Sequence, residues 1–329
     1  MAPLVFDGHN DVLLTPGGVQ AFVSGRGEGH LDLPRAREGG LAGGVFAVFT
    51  KTPGDDESAP VDHAYALATA TSTAGRLFAL EAAGAVRVVR AVGDLDAAVS
   101  AGVLAAVLHL EGAEAISPSL RELDAWYEAG LRSLGLVWSR PNAFGHGVPF
   151  AYPSSPDTGP GLTSAGVALV RRCLQVGVLV DVSHLNEAGF WDVARECGDR
   201  PFVASHSGAW ELCNASRNLV DAQLDAIAAA GGLVGIVFAA PFVRPDGADD
   251  PDTPLSDVVA HVRYVADRIG VDHVGLGSDF DGATMPSALC DASRLPALLD
   301  ALREDGFSAE EVERIAFGNW RRVLEDAWE

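Results

Sequence analysis

Five short stretches of the chain combine imidazole and carboxylate groups in patterns suited to holding metal ions. They are His9-Asn10-Asp11, Leu110-Glu111-Gly112, Val182-Ser183-His184, Ser205-His206-Ser207 and Ser278-Asp279-Phe280-Asp281-Gly282. Each closes a short apolar run with strand character, so each polar group stands at a strand end. Side chains alternate along a strand with period two, which predicts His9 and Asp11 on one face. A mixture of imidazole and carboxylate suits Zn2+, with Mn2+ or Co2+ as workable substitutes. Three histidines and three carboxylates exceed what one tetrahedral zinc requires, so two ions sharing a bridging carboxylate account for them better. Two ions about 3.5–4 Å apart clamp a hydroxide between them and polarise a carbonyl oxygen, which is hydrolytic chemistry.

Every one of these residues also has an ordinary reading. A single strand-end histidine is more often a hydrogen-bonded core residue, and Asp11 or Asp279 alone fits a helix N-cap. Five coincidences on one rim are a different matter, and the joint arrangement favours a metal centre. The remaining histidines lack such positions. His30, His63, His261 and His273 read as surface or packing residues, and His109 lies one layer below Glu111 on the same strand face.

The elements that must position these groups alternate between short β-type runs and longer helical patterns. Strands are expected at 4–11, 44–50, 104–111, 133–139, 178–184, 202–206, 233–239 and 274–279. Helices are expected at 61–83, 119–128, 163–176, 221–230, 255–269 and 295–304. Ser119 with Glu122, and Ser308 with Glu311, have capping-box spacing. Near-continuous apolar strands such as Val178-Leu179-Val180 fit a parallel sheet covered on both faces. Eight of them suggest a (β/α)8 TIM barrel, a single α/β domain over residues 1–329, in which strand C-terminal ends converge on one mouth, although an open doubly wound sheet fits the same pattern. The polar stretch 141–161 reads as an active-site loop, and 246–254 as a second exposed loop.

Composition narrows the function. The 329 residues carry 45 acidic against 23 basic side chains, for a net charge of −22. That balance argues against a nucleic-acid partner, which needs clustered Lys and Arg. No apolar stretch is long enough for a membrane span, and no basic, apolar leader precedes the first strand. Four scattered cysteines (Cys173, Cys197, Cys213, Cys290) fit reduced thiols, so a cytoplasmic location is expected.

At these motifs the sequence resembles the membrane (renal) dipeptidase family. Asp7-Gly8-His9-Asn10-Asp11, Glu111-Gly112, Asp181-Val182-Ser183-His184 and Ala204-Ser205-His206-Ser207 carry the resemblance. Ser216-Arg217-Asn218, Gly277 to Gly282, Gly318-Asn319-Trp320 and Arg322-Val323-Leu324 extend it, so that it runs from residue 4 to about 327. The resemblance implies two Zn2+ per chain, one held by His9 and Asp11 and the other by His184 and His206. Glu111 and a hydroxide or water would bridge them. Asp279 would shuttle a proton from the attacking water to the leaving amine, and Arg217 would grip the free carboxylate of a dipeptide. It further implies tolerance of a D-residue at the C-terminal position, and a homodimer.

One departure is clear. Where familiar members end the fourth strand in a histidine, this chain has Leu136-Val137-Trp138-Ser139-Arg140, and the next loop supplies His146 instead. Either His146 folds back over the metals, or Trp138 and Arg140 reshape the substrate pocket. Other metal-dependent barrel hydrolases begin with His-x-His and bridge their ions through a carboxylated lysine. The only lysine here, Lys51, lies just past the second strand, which leaves the bridging to Glu111. Another amide, an N-acyl amino acid or a lactone is the alternative substrate. A non-catalytic barrel is disfavoured, because a binding protein needs no proton shuttle at Asp279.

Overall fold

In the computed structural model, which describes residues 3–54 and 56–328, eight parallel strands close into a barrel. In chain order the strands are β1 (Val5–Asn10), β2 (Leu41–Phe49), β3 (Val86–Val88), β4 (Leu104–Glu111) and β5 (Leu131–Gly135). They continue with β6 (Leu179–Asp181), β7 (Val203–Ser207), β8 (Leu233–Ile236) and β9 (Val274–Leu276). Direct pairing of β2 with β4 closes the ring, from Gly43 opposite Ala105 to Phe49 opposite Glu111. The short β3 stands outside it, against Leu104 to Ala106 of β4. Among the described residues, no helix is long and apolar enough to cross a membrane.

Strand alternation sorts the core into two bodies. Ala105 and Val107 of β4 point inward with Phe6, Val45, Leu179, Val203 and Leu233. Ala106, Leu108 and Leu110 point outward into the larger cluster beneath the helices. The floor of the barrel is sealed by the C-terminal helix Asn319–Trp328, whose Trp320 is wholly buried and donates Nε1–H to Leu276 O at 2.9 Å. Gly8 makes room for that indole. A Cβ there would collide with the Trp320 ring and with the carbonyls of Ser205 and Leu276.

Several expected boundaries shift. The strand expected at 133–139 occupies Leu131–Gly135, because Leu136 and Val137 are buried outside the ladder. Those expected at 178–184, 233–239 and 274–279 stop after three or four residues, and the chain then turns inward. The 104–111 strand and the 255–269 and 295–304 helices lie where expected. Ser308 and Glu311 form their reciprocal capping box. Ser119 does not: the helix begins at Arg121 behind a left-handed Leu120, and Glu122 accepts from Ser117 N and Oγ instead.

Because Trp320 fills the barrel floor, Trp320→Ala is expected to cost about 3–5 kcal/mol, the usual range for a large aromatic cavity. Chemical denaturation of the two proteins measures it.

Candidate active site

The C-terminal strand ends assemble the site. Glu111 sits at its centre because β4 is paired on both sides there, with Phe49 of β2 and Gly135 of β5. Its Oε1 lies 2.9 Å from His184 Nε2 and 3.6 Å from both His9 Nε2 and His206 Nε2. His9 Nε2 stands 3.7 Å from Asp11 Oδ2, and the His9 and His206 rings stack with centroids 3.8 Å apart. His184 Nε2 and His206 Nε2 face each other at 3.1 Å. The strict alternation expected of His9 and Asp11 gives way to a register break in β1 between Asp7 and Asn10. Asp11 lies just past the strand, with its N–H bonded to Phe280 O.

These donors fall into two main sets, each with ligand atoms within 4.8 Å of one another: Glu111 with His184 and His206, and His9 with Asp11 and Asp279. A third set substitutes Asp181, but both of its oxygens already accept hydrogen bonds from Ser183 and Ser205. His9 Nε2 and Asp11 Oδ1 are buried and meet no hydrogen-bond partner among the described residues. Leaving such groups unsatisfied costs about 1–3 kcal/mol each. A divalent cation satisfies imidazole and carboxylate lone pairs together, so the donor set fits metal ions.

In the chain alone the crowding distorts titration. Burial, opposed by His9 and reinforced by Asp11 and Asp279, pushes Glu111 up to about 8. Burial together with the Asp11 charge, against His9 and Arg217, pushes Asp279 up to about 7. Burial disfavours a charge on His9, yet Glu111, Asp11 and Asp279 outweigh it and push it up to about 10. His184 and His206 are held well below the ordinary histidine range by burial and by the positive charges of Arg217 and His9. Asp279 keeps part of its surface open to the mouth. Gly282 approaches so closely that any side chain there would strike the Asp11 and Asp279 carboxylates.

Around the donors stand the groups that could handle an organic substrate. Arg217 is buried and donates from Nη2 to His206 O at 2.7 Å, while its Nε has no partner among the described residues. Half-buried Trp138 packs 5.9 Å from the His184 ring, with Phe49 at 5.0 Å and Phe150 at 5.3 Å. Phe150 is 52% exposed, so this aromatic wall faces the opening. Arg140 props it from behind. Its guanidinium is 5.3 Å from the Trp138 ring and is fixed by Glu114, Thr50 O and Thr52.

The ring of His146, one of the two groups considered for the strand-four role, faces the Gly161 carbonyl. Its Nδ1 lies 3.3 Å from Gly161 O, and its own carbonyl accepts from Asn186 N. The turn around Asn142, which accepts from Phe144 N and Gly145 N, sets that course. His30, read from sequence as ordinary, braces the site: its Nδ1 accepts from Asp281 N, and Asp281 Oδ1 accepts from His30 N. Sequence reasoning also passed over Phe49 and Phe150, although Phe49 ends a strand at the same rim.

A closed parallel barrel with metal donors at its C-terminal mouth defines a metal-dependent enzyme of the barrel hydrolase type. The sequence matches the family described as membrane dipeptidase (peptidase family M19) over residues 2–329. A metallopeptidase from Rhodobacter sphaeroides, solved with a phosphinate mimic of the dipeptide L-Ala-D-Ala, superposes with a TM-score of 0.96. It shares 42% identity, with 100% of each chain covered. The M19 metallopeptidase dipeptidase AC superposes with a TM-score of 0.94 at 43% identity, covering 100% of this chain and 99% of its own. Dipeptidase ataJ of Aspergillus terreus is 30% identical over 98% of this chain and 84% of its own. The chain belongs to the membrane dipeptidase family, peptidase family M19.

The raised groups set a sign for stability. Asp279, Glu111 and His9 all hold protons more tightly in the fold than in the unfolded chain. Their contribution is present below the unfolded values and is lost as pH rises through about 7, 8 and 10 respectively. Metal binding displaces those protons and so strengthens with pH. Zinc is therefore expected to raise Tm more at pH 8 than at pH 6, as calorimetry of metal-stripped and zinc-loaded protein would measure.

Proposed function

We propose that this protein is a binuclear zinc dipeptidase. His9 and Asp11 would hold one ion, His184 and His206 the other, and Glu111 would be shared. When bound, the ions supply Lewis acidity, which polarises an amide carbonyl and acidifies water. The observation that carries the reading is the meeting of two donor sets with Asp279 and Arg217 at one mouth.

Asp279 accepts a proton from the attacking water on a carboxylate oxygen and returns it to the departing amine nitrogen. Burial raises its pKa in the chain alone and bound cations would lower it, the two opposed influences that set its readiness for proton exchange. Arg217 grips the terminal carboxylate of the substrate through donors not used by the fold, and so measures one residue from the scissile bond. Trp138, Phe49 and Phe150 exclude water on the His184 side and favour apolar side chains there. His146, on the neighbouring loop, would meet substrate at the rim. The ligand of the Rhodobacter sphaeroides relative supports acceptance of a D-residue at the C-terminal position.

The test is hydrolysis across L-Xaa-L-Xaa and L-Xaa-D-Xaa dipeptides by zinc-loaded enzyme of measured metal content. Turnover is expected in both series. Asp279→Asn should lower kcat by about 100- to 10,000-fold, the range for a positioned acid–base group. Two bound zincs without dipeptide turnover would move the function to another amide, an N-acyl amino acid or a lactone.

Arg217→Met is expected to lower kcat/KM by about 10- to 100-fold, near the 1.5–3 kcal/mol of a charged hydrogen bond. His146→Ala should change it less than tenfold. A larger loss in His146→Ala than in Arg217→Met would reverse these two assignments. Steady-state kinetics on one dipeptide decides between them.

A further inference from the structure

The three imidazoles of the site are supported unequally behind their facing nitrogens. His9 Nδ1 is buried and meets no partner among the described residues. His184 Nδ1 lies 2.8 Å from Ser139 Oγ. His206 Nδ1 lies 2.8 Å from Ser205 Oγ, and that hydroxyl is itself committed, donating at 2.5 Å to Asp181 Oδ2. Asp181 is 1% exposed, and its other oxygen accepts the backbone N–H groups of Ser183 and Ser205 at 2.9 Å each.

The direction of this chain of bonds follows from counting protons. An ionised carboxylate only accepts, so the single hydroxyl proton of Ser205 goes to Asp181. Ser205 Oγ must then accept from His206, which places the ring proton on Nδ1. The lone pair is left on Nε2, the nitrogen facing Glu111 and His184. Ser183 Oγ, which accepts from His206 N at 3.2 Å and lies 3.4 Å from Ser205 Oγ, fits the remaining lone pair of that hydroxyl.

We infer that Ser205 and Asp181 are positioning residues that lock His206 in its metal-binding tautomer, and that the Glu111–His184–His206 position is thereby the tighter of the two. The inference rests on reading His206 as a metal ligand. Outer partners of this kind are worth about 10- to 100-fold in metal affinity. Replacing Asp181 by Asn removes the directionality, because an amide can donate to Ser205 and let the hydroxyl donate to His206 instead. The proton then moves to Nε2 and the ligand is blocked.

The experiment uses the full chain stripped of metal. Nitrogen-15 NMR of the histidine rings reports the tautomer of His206, and competition with a chromophoric chelator reports the two zinc affinities. The expected result is an Nδ1–H tautomer in the parent protein. Ser205→Ala and Asp181→Asn should each weaken the tighter zinc by about 10- to 100-fold, with Ser205→Thr restoring most of it. An Nε2–H tautomer in the metal-free parent would overturn the inference without any variant. Unchanged affinities in folded Ser205→Ala would overturn it as well. Neither measurement involves turnover, so failure of the dipeptidase reading would show separately, as two tightly held zincs with no hydrolysis.

Discussion

One carboxylate oxygen lies within 3.6 Å of three imidazole nitrogens, in a place closed to bulk water. Such a cluster does not assemble unaided, since desolvating these groups opposes charge and their lone pairs compete for the same few protons. The rest of the architecture follows from having to hold it. Glu111 is immobilised by ladders on both sides of β4, and the inward residues beneath it continue down to the buried Trp320. Repulsion at the mouth therefore acts against a packed column rather than a loop, and the donors cannot relax apart.

Polar clips tie the column to the segments that carry the remaining groups. Asp7 accepts Ser278 N at 2.7 Å and Ser278 Oγ at 2.8 Å, and Asp279 N donates to His9 O at 3.0 Å. The first and last strands of the barrel are thus fastened where His9 and Asp279 must meet. His30 and Asp281 add a second clip two residues further along. The first clip is buried and the second half-buried, and burial makes a satisfied hydrogen bond strong and an unsatisfied one expensive.

Much of this was legible because the fold and the site use the same residues. β4 announces itself as a near-continuous apolar run that ends in a carboxylate, and the paired His and Asp motifs mark the rim. What stayed hidden has physical causes. Leu136 and Val137 look like strand because they are apolar, yet the paired ladder stops at Gly135, and beyond it Leu136 O accepts from Ala113 N. The three residues of β3 are too few to show a period, and they matter only because the first half of β4 has an open edge. Ser205 and Asp181 carry no special signature alone. Their meaning appears only when β6 and β7 lie side by side, bringing residues 24 positions apart into one hydrogen-bond chain.

The sharpest divergence from strand periodicity falls at His184 and Asp279. Among the described non-glycine residues, positive φ occurs at Leu120, His184, Asp279 and Asp281, so three of the four stand at the mouth. A left-handed backbone costs a non-glycine residue about 1–3 kcal/mol, and it persists only where neighbours fix it. Here they do, because Val148 N bonds His184 O, and Asp279 bonds His9 O through its N–H and Gly282 N through its carbonyl. The sharp reversal turns a side chain that has already left the ladder back toward the barrel axis, beyond the reach of regular alternation. Short strands and strained ends are therefore one device: the ladder stops early so that the next residues are free to turn inward. The rigid barrel below bears the cost of holding them there.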